Sequence, residues 1–195
     1  QRVVLRHAGL AVTYRTDQGG NLAARLPALT ENVQVSALFA GGETTAASLL
    51  MPGAAQFVRF GVLWPGGRAF SVNAFEGSAT FGEPGHVSAS QPGQAKGDGP
   101  SAEGFLTLLG DAKADAPILA EVYTYPAGET MVRVVVEAAI TAQTCGQELL
   151  GETLRTEAGQ VELSDLTVAM PACDGKNGFL MLEDLVRDSK ANASN

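Results

Sequence analysis

The feature that most constrains the fold is a pair of β-rich runs in residues 118–140, joined by the turn Pro-Ala-Gly-Glu. In the second run alternate residues are apolar, whereas Arg133 and Glu137 lie between them. The apolar positions are Val132, Val134, Val136, Ala138 and Ile140. A two-residue period in mainly β-branched side chains is typical of a strand with one buried face. We therefore predict two strands joined as a hairpin.

A second hairpin is predicted from residues 57–64 and 69–75, around the turn Pro-Gly-Gly-Arg. The two turns share an order of residue types: aromatic, Pro, small, Gly, charged, small and large apolar. A duplicated half-domain would produce this similarity. Convergence on good turn residues would also produce it, because Pro presets φ and Gly accepts a positive φ. We favour convergence, since the flanking residues show little further similarity.

Other segments also read mainly as strands. Residues 3–14 fit one strand or two short ones. Residues 32–40 alternate like a half-buried strand, and a polar loop is predicted at 41–47. Residues 104–110 fit either a short strand or a helical turn.

The last part of the chain continues the pattern. In residues 161–170 the apolar positions change phase near Ser164 and Asp165, which predicts a bulge or a bend. Residues 179–187 fit both an amphipathic helix and a strand, and we favour the strand. The chain as a whole is predicted to be all-β, an antiparallel β-sandwich or jelly-roll-like assembly of about eight to twelve strands with minor helix.

One long segment, residues 76–104, consists mostly of Gly, Pro, Ser and Ala. It has few large apolar groups to offset the entropy of ordering, so we predict an exposed loop. We favour a single β-rich domain over residues 1–188; the alternative is two β subdomains, residues 1–75 and 105–188, on either side of this loop. Residues 189–195 are polar and are predicted to be a flexible tail.

The charge balance argues against two classes of partner. The chain has a net charge of −8, and its basic residues are scattered. Such a chain repels phosphate backbones and anionic lipid surfaces, so we expect no nucleic-acid partner. Frequent Ala, Gly and Arg are typical of a GC-rich bacterial genome. Because the chain opens at Gln1 rather than Met, we expect either a leader or membrane anchor that preceded it, or a shortened chain.

The two cysteines, Cys145 and Cys173, match no zinc or redox spacing. Their even number predicts a disulfide, formed in an oxidising compartment such as the periplasm or the extracellular space. The alternative is a pair of buried thiols in a cytosolic protein.

Few residues are candidates for chemistry. His7 falls in a predicted strand, where a packed or surface role is expected, and His86 falls in the predicted loop, where exposure is expected. Glu121, Glu129 and Glu137 are interpreted as solvated or rim residues. No motif for a catalytic triad, zinc helix or phosphate loop occurs, so no catalytic residue, cofactor or metal is predicted.

Aromatic residues offer a candidate ligand platform. Trp64, Tyr123 and Tyr125 lie at or beside the turn ends of the two predicted hairpins. If those ends meet, the rings would form a platform able to stack on a sugar or a peptide. The alternative is that the rings close one end of the core.

These observations predict a non-catalytic binding or protein-interaction module of the bacterial envelope, periplasmic or secreted, with a protein or carbohydrate ligand. One alternative is a carbohydrate-active hydrolase that uses two carboxyl groups, because that chemistry needs no local motif. Another is a structural subunit that pairs through an exposed edge strand.

Overall fold

The computed structural model describes residues 1–93, 103–128, 131–183 and 185. These residues form thirteen strands, all paired antiparallel, and one short 3-10 helix, Ala54–Gln56. The prediction of an antiparallel all-β protein with minor helix is therefore confirmed. Within these ranges, no helix is long and apolar enough to cross a membrane.

The strands form three sheets. In spatial order, the N-terminal sheet consists of β2 (Leu10–Arg15), β1 (Arg2–His7), β3 (Asn32–Phe39) and β4 (Thr44–Leu50). The central sheet consists of β12 (Gln160–Ala169), β11 (Glu148–Glu157), β5 (Phe57–Pro65), β9 (Ile118–Pro126) and β8 (Phe105–Leu109). The distal sheet consists of β13 (Gly178–Leu182), β10 (Val132–Ile140), β6 (Phe70–Glu76) and β7 (His86–Val87).

The central sheet is covered on both faces. On β5, Phe60 and Val62 belong to a buried cluster shared with the distal sheet. The adjacent Leu63 belongs to a second cluster, shared with the N-terminal sheet. A strand covered on both faces needs apolar residues at consecutive positions, because each side chain meets one packed layer or the other. This explains the nearly unbroken apolar sequence of β5.

Neither predicted hairpin is formed. The strands exist, but β5 pairs with β9 and β11, whereas β6 pairs with β10 and β7. Each of the two similar turns therefore carries the chain from the central sheet to the distal sheet. The prediction was wrong because a two-residue period indicates which face of a strand is buried but not which strand lies beside it.

Two local predictions also differ in part from the structure. Part of the predicted loop at 41–47 belongs to β4, which begins at Thr44. No bulge interrupts β12, whose register with β11 runs continuously over ten residue pairs. The change of phase has another cause: Val161 packs against the cluster of the N-terminal sheet, and Leu166 lies in the cluster of the distal sheet.

Other predictions agree with the structure in part. Residues 3–14 form two strands, separated by a turn at Ala8 and Gly9, both with positive φ. Residues 104–110 contain the strand β8, and residues 178–182 form the favoured strand β13. The predicted loop of residues 76–104 contains the short strand β7, and residues 94–102 lie outside the described residues, as does the predicted tail. The division into domains stays a prediction.

Cys145 and Cys173 form a disulfide with a Cα–Cα distance of 5.0 Å, as predicted. It joins the turn that follows β10 to the segment that precedes β13. The N–H of Gly146 donates a hydrogen bond of 2.7 Å to the carbonyl of Pro171, which holds the same two segments together.

We predict that the double substitution Cys145→Ser and Cys173→Ser lowers the free energy of unfolding by about 2–4 kcal/mol, because the unfolded chain loses its cross-link. Urea denaturation with and without reductant measures this change. The wild-type protein in reductant serves as the control and should match the double variant. A variant as stable as the oxidised wild type would contradict the prediction.

Candidate functional site

The predicted aromatic platform is divided between two ends of the central sheet. The register pairs Trp64 with Leu119 and Val58 with Tyr125. Trp64 is thus separated from Tyr125 by six positions along the strands, or about 20 Å. The two turn ends do not meet, which was the condition for one platform of three rings.

The tyrosines do lie together. The ring of Tyr125 is stacked on that of Tyr123, with 5.3 Å between centroids. Tyr123 is fully buried, and its O–H donates a hydrogen bond of 2.6 Å to Oε1 of Glu76. Trp64 is buried as well, and its Nε1–H donates to the carbonyl of Gly67 at 2.7 Å. Tyr123 and Trp64 belong to the core, and a ligand role for the three rings stays a prediction.

His86 is not the exposed loop residue that the sequence predicts. It is half-buried on β7, with its ring stacked on Phe75 at 4.9 Å. Its Nδ1 accepts the N–H of Gly82 at 3.0 Å, and its Nε2 lies 2.9 Å from Oδ1 of Asn73. The prediction failed because the surrounding residues are small and polar and give no sign of a strand.

Glu121 is buried rather than solvated. Its Oε2 accepts the backbone N–H of Val72 at 2.7 Å, so it satisfies a donor of β6 from the facing central sheet. Burial raises the pKa of Glu121 above its ordinary value, against the opposing effects of this hydrogen bond and of Arg68. Glu137 is half-buried, and Glu129 lies outside the described residues.

Glu121 and Asp111 line one small cavity of about 220 Å³. Both carboxylates are already engaged, because Asp111 pairs with Arg15 at 2.6 Å and accepts the N–H of Lys113. The hydrogen bonds to Arg15 and Lys113 lower the pKa of Asp111. In the part of the chain that the structure describes, no three His, Cys, Asp or Glu side chains are close enough to hold a metal ion.

A larger apolar groove of about 560 Å³ lies on the N-terminal sheet. Its floor, on the face directed toward the central sheet, includes Val33, Val35, Ala37, Phe39 and Leu49. One wall is formed by residues 22–28, which we call the cover segment; Leu22 and Leu26 are the large side chains in it that line the groove. Among the residues that the structure describes, no charged side chain lines this groove.

The cover segment is held at its two ends. Before it, a turn is closed by two hydrogen bonds of 2.8 Å. The N–H of Asp17 donates to the carbonyl of Asn21, and the N–H of Asn21 donates to Oδ1 of Asp17. After it, the N–H of the fully buried Leu29 donates to Nε2 of His7 at 3.0 Å. Within the described residues, no backbone hydrogen bond is made by residues 22–28 themselves. His7 therefore fixes the end of the segment that lies deepest in the fold.

His7 is buried between the N-terminal and central sheets. Since Nε2 accepts a backbone N–H, the neutral ring carries its proton on Nδ1, which donates to the carbonyl of Gln34 at 3.0 Å. Burial lowers the pKa of His7 below 6.5; the bond to Gln34 opposes this shift and the charge of Arg59 adds to it. The sequence placed His7 in a strand, but its hydrogen bonds join residues far apart in the chain.

The strand β4 forms the outer edge of the same sheet. All seven of its residues are exposed, and none is charged. Among the described residues it pairs only with β3, so its other backbone edge is open. The exposed apolar residues Leu49, Leu50 and Met51 lie at its end. The edge strand β12, by contrast, carries Glu162 and Asp165, which are the kind of charged residues that protect natural edges.

Comparisons with protein-family models, with curated proteins and with solved structures find no match to this chain.

We predict that Leu29→Ala lowers the free energy of unfolding by about 2–5 kcal/mol, because it leaves a cavity where a fully buried side chain lay. The matched control is Leu50→Ala, at a side chain that is 65% exposed, which should change stability by less than about 0.5 kcal/mol. Chemical denaturation of both variants tests this contrast. Equal losses of stability in the two variants would contradict the burial of Leu29 in the core.

Proposed function

We propose that this protein is a non-catalytic protein-interaction module that binds an extended segment of a partner protein along β4. The observation that supports the proposal is an open, uncharged edge of seven residues beside an apolar groove. A segment added to β4 would extend the N-terminal sheet by one strand.

The backbone of β4 supplies the first part of the argument. An open edge presents unpaired N–H and C=O groups to solvent, and natural proteins usually protect such edges with Lys, Pro, bulges or short strands. β4 has no charged residue and no Pro. Addition of a partner strand would satisfy these groups and provide affinity through main-chain hydrogen bonds.

The groove supports a partner segment with apolar side chains. In an added strand every second side chain faces the same side as Ala47 and Leu49, so those positions should be apolar. Charged residues there would be buried without a counter-charge, which is unfavourable. The partner segment that we propose is therefore extended, uncharged and apolar at alternate positions.

Two other occupants are less well supported. A second copy of the chain would bring together two molecules of net charge −8, which repel each other at long range. The residues of this chain outside the described ranges include only one large apolar side chain, that of Val186. An added apolar strand is therefore better supplied by another protein.

We propose an oxidising location, the periplasm or the extracellular space, which the disulfide supports because such bonds persist there. The alternative of a carbohydrate-active hydrolase remains a prediction from the sequence. Glu121 and Asp111 offer it little support, since both carboxylates already accept hydrogen bonds from the protein.

The proposal can be tested with a fluorescently labelled peptide of residues 32–39, NVQVSALF, which we call the alternating peptide because every second residue from Val33 to Phe39 is apolar and only Leu38 is apolar on the other face. We predict that it binds the wild-type protein at pH 7.5, measured by fluorescence anisotropy. The control peptide has the same composition with its apolar residues divided between the two faces of the strand, and it should bind at least about tenfold more weakly, since it directs fewer apolar side chains into the groove.

Leu49→Asp should weaken binding of the alternating peptide at least about tenfold, because it places a carboxylate at the groove. Leu150→Asp is the matched control at another exposed leucine, outside the groove, and should leave binding unchanged. Equal binding of the two peptides, or equal effects of the two variants, would refute the proposal. Binding of an apolar dye without binding of the peptide would instead indicate a small-molecule groove, and a dimer abolished by Leu49→Asp would indicate self-pairing.

A further inference from the structure

One titratable side chain, that of His7, links β3 to the residue that follows the cover segment. His7 contacts β3 through the carbonyl of Gln34 and the end of the cover segment through the N–H of Leu29. We propose that His7 is a proton-operated latch, which holds the cover segment against the groove when the ring is neutral and releases it when the ring takes up a proton. The inference concerns regulation of the groove, and its biological meaning rests on the proposed function.

The donors and acceptors around the ring support a switch with two states. Neutral His7 uses one ring nitrogen as a donor and the other as an acceptor, and both are engaged. In imidazolium both ring nitrogens carry protons. Nε2–H would then face the N–H of Leu29, and the hydrogen bond that fixes the segment would be lost. The bond from Nδ1–H to Gln34 is compatible with either state.

Loss of this bond should affect the cover segment more than the rest of the sheet. Residues 22–28 make no backbone hydrogen bond to any described residue. The segment is therefore held by the hydrogen bonds of Asn21 before it and Leu29 after it. Leu22 and Leu26 are only half-buried. Segments with few hydrogen bonds and little burial open at low free-energy cost. Movement of the segment would expose more of the apolar floor of the groove.

The charged groups near His7 affect how readily its ring takes up a proton. Arg59, on β5, is the charged group whose field reaches the ring among the described residues. Arg6 precedes His7 on β1 and is exposed, β3 contributes the neutral carbonyl of Gln34, and Glu31 is engaged with the N–H of Gly53. Among the described residues, no carboxylate therefore stabilises the imidazolium.

The direction of the pH effect follows from these groups. Burial and Arg59 lower the pKa of His7 below 6.5, which is close to its value in an unfolded chain. The folded protein then binds fewer protons than the unfolded chain between the two pKa values. The stabilisation by neutral His7 is complete above pH 6.5 and is lost as the pH falls through the lower pKa of the folded protein.

Hydrogen exchange measured by NMR on the free wild-type protein tests the latch directly. We predict that the protection factor of the Leu29 amide falls by up to about tenfold as the pH is lowered from 7.5 through the pH at which the His7 ring takes up its proton, as expected for the loss of one hydrogen bond. The loss of protection at the Leu29 amide and the protonation of the His7 ring should have the same pH midpoint, below 6.5. Constant protection of Leu29, or separate midpoints, would overturn the proposal.

Two variants provide a matched comparison, because the chain has only two histidines. His7→Gln keeps an acceptor that can reach the Leu29 amide but has no proton to gain, so the pH dependence of Leu29 protection should disappear. His86→Gln should retain it. The same pH dependence in His7→Gln as in wild type would overturn the latch, and if this variant does not fold, the wild-type titration decides the question.

These measurements separate the latch from the proposed function. Exchange of the Leu29 amide is observed without any partner, whereas peptide binding is measured at constant pH 7.5. Loss of Leu29 protection at low pH without peptide binding would support the latch and refute strand addition. Peptide binding with constant Leu29 protection would support strand addition and refute the latch.

Discussion

The structure depends on burial of both faces of the central sheet. Its inner strands β5 and β9 are buried at consecutive positions, and on β5 Val62 and Leu63 face different layers. Because the central sheet is buried, its polar side chains need hydrogen-bond partners within the protein. Glu121 is engaged by a backbone donor of the distal sheet, and Arg59 donates to the carbonyls of Ala54 and Phe57. Burial lowers the pKa of Arg59 to about 10, which leaves it charged at neutral pH.

The N-terminal sheet is buried unevenly, and this produces the candidate site. Its strands β1 and β2 supply side chains such as Val3 and Val12 to the core, whereas β4 is exposed along its whole length. The sheet therefore carries an apolar face beyond the well-covered strands. The cover segment lies over part of that face and leaves the groove beside the open edge. Proposed binding and proposed regulation thus arise from one structural feature, incomplete cover of a sheet.

The sequence predicts the strands better than it predicts their partners. The alternation in residues 132–140 reports the buried face of β10 correctly, but the neighbours of β10 come from β6 and β13. β4 was missed because Thr, Ala and Ser give no apolar period in a fully exposed strand. The hydrogen bonds of His7 and Glu121 join residues at least 22 positions apart, so no local pattern reveals them. The disulfide was predictable, since two cysteines allow only one pairing.

Strand addition at β4 is the central claim, and exchange of the β4 backbone amides with and without the alternating peptide tests it most directly. In an added ladder only every second amide of β4 points to the new strand. The account predicts that the peptide slows exchange at alternate amides of β4 and leaves the edge strand β12 unchanged. Protection that appears at β12 or β13, or at no edge, would contradict it.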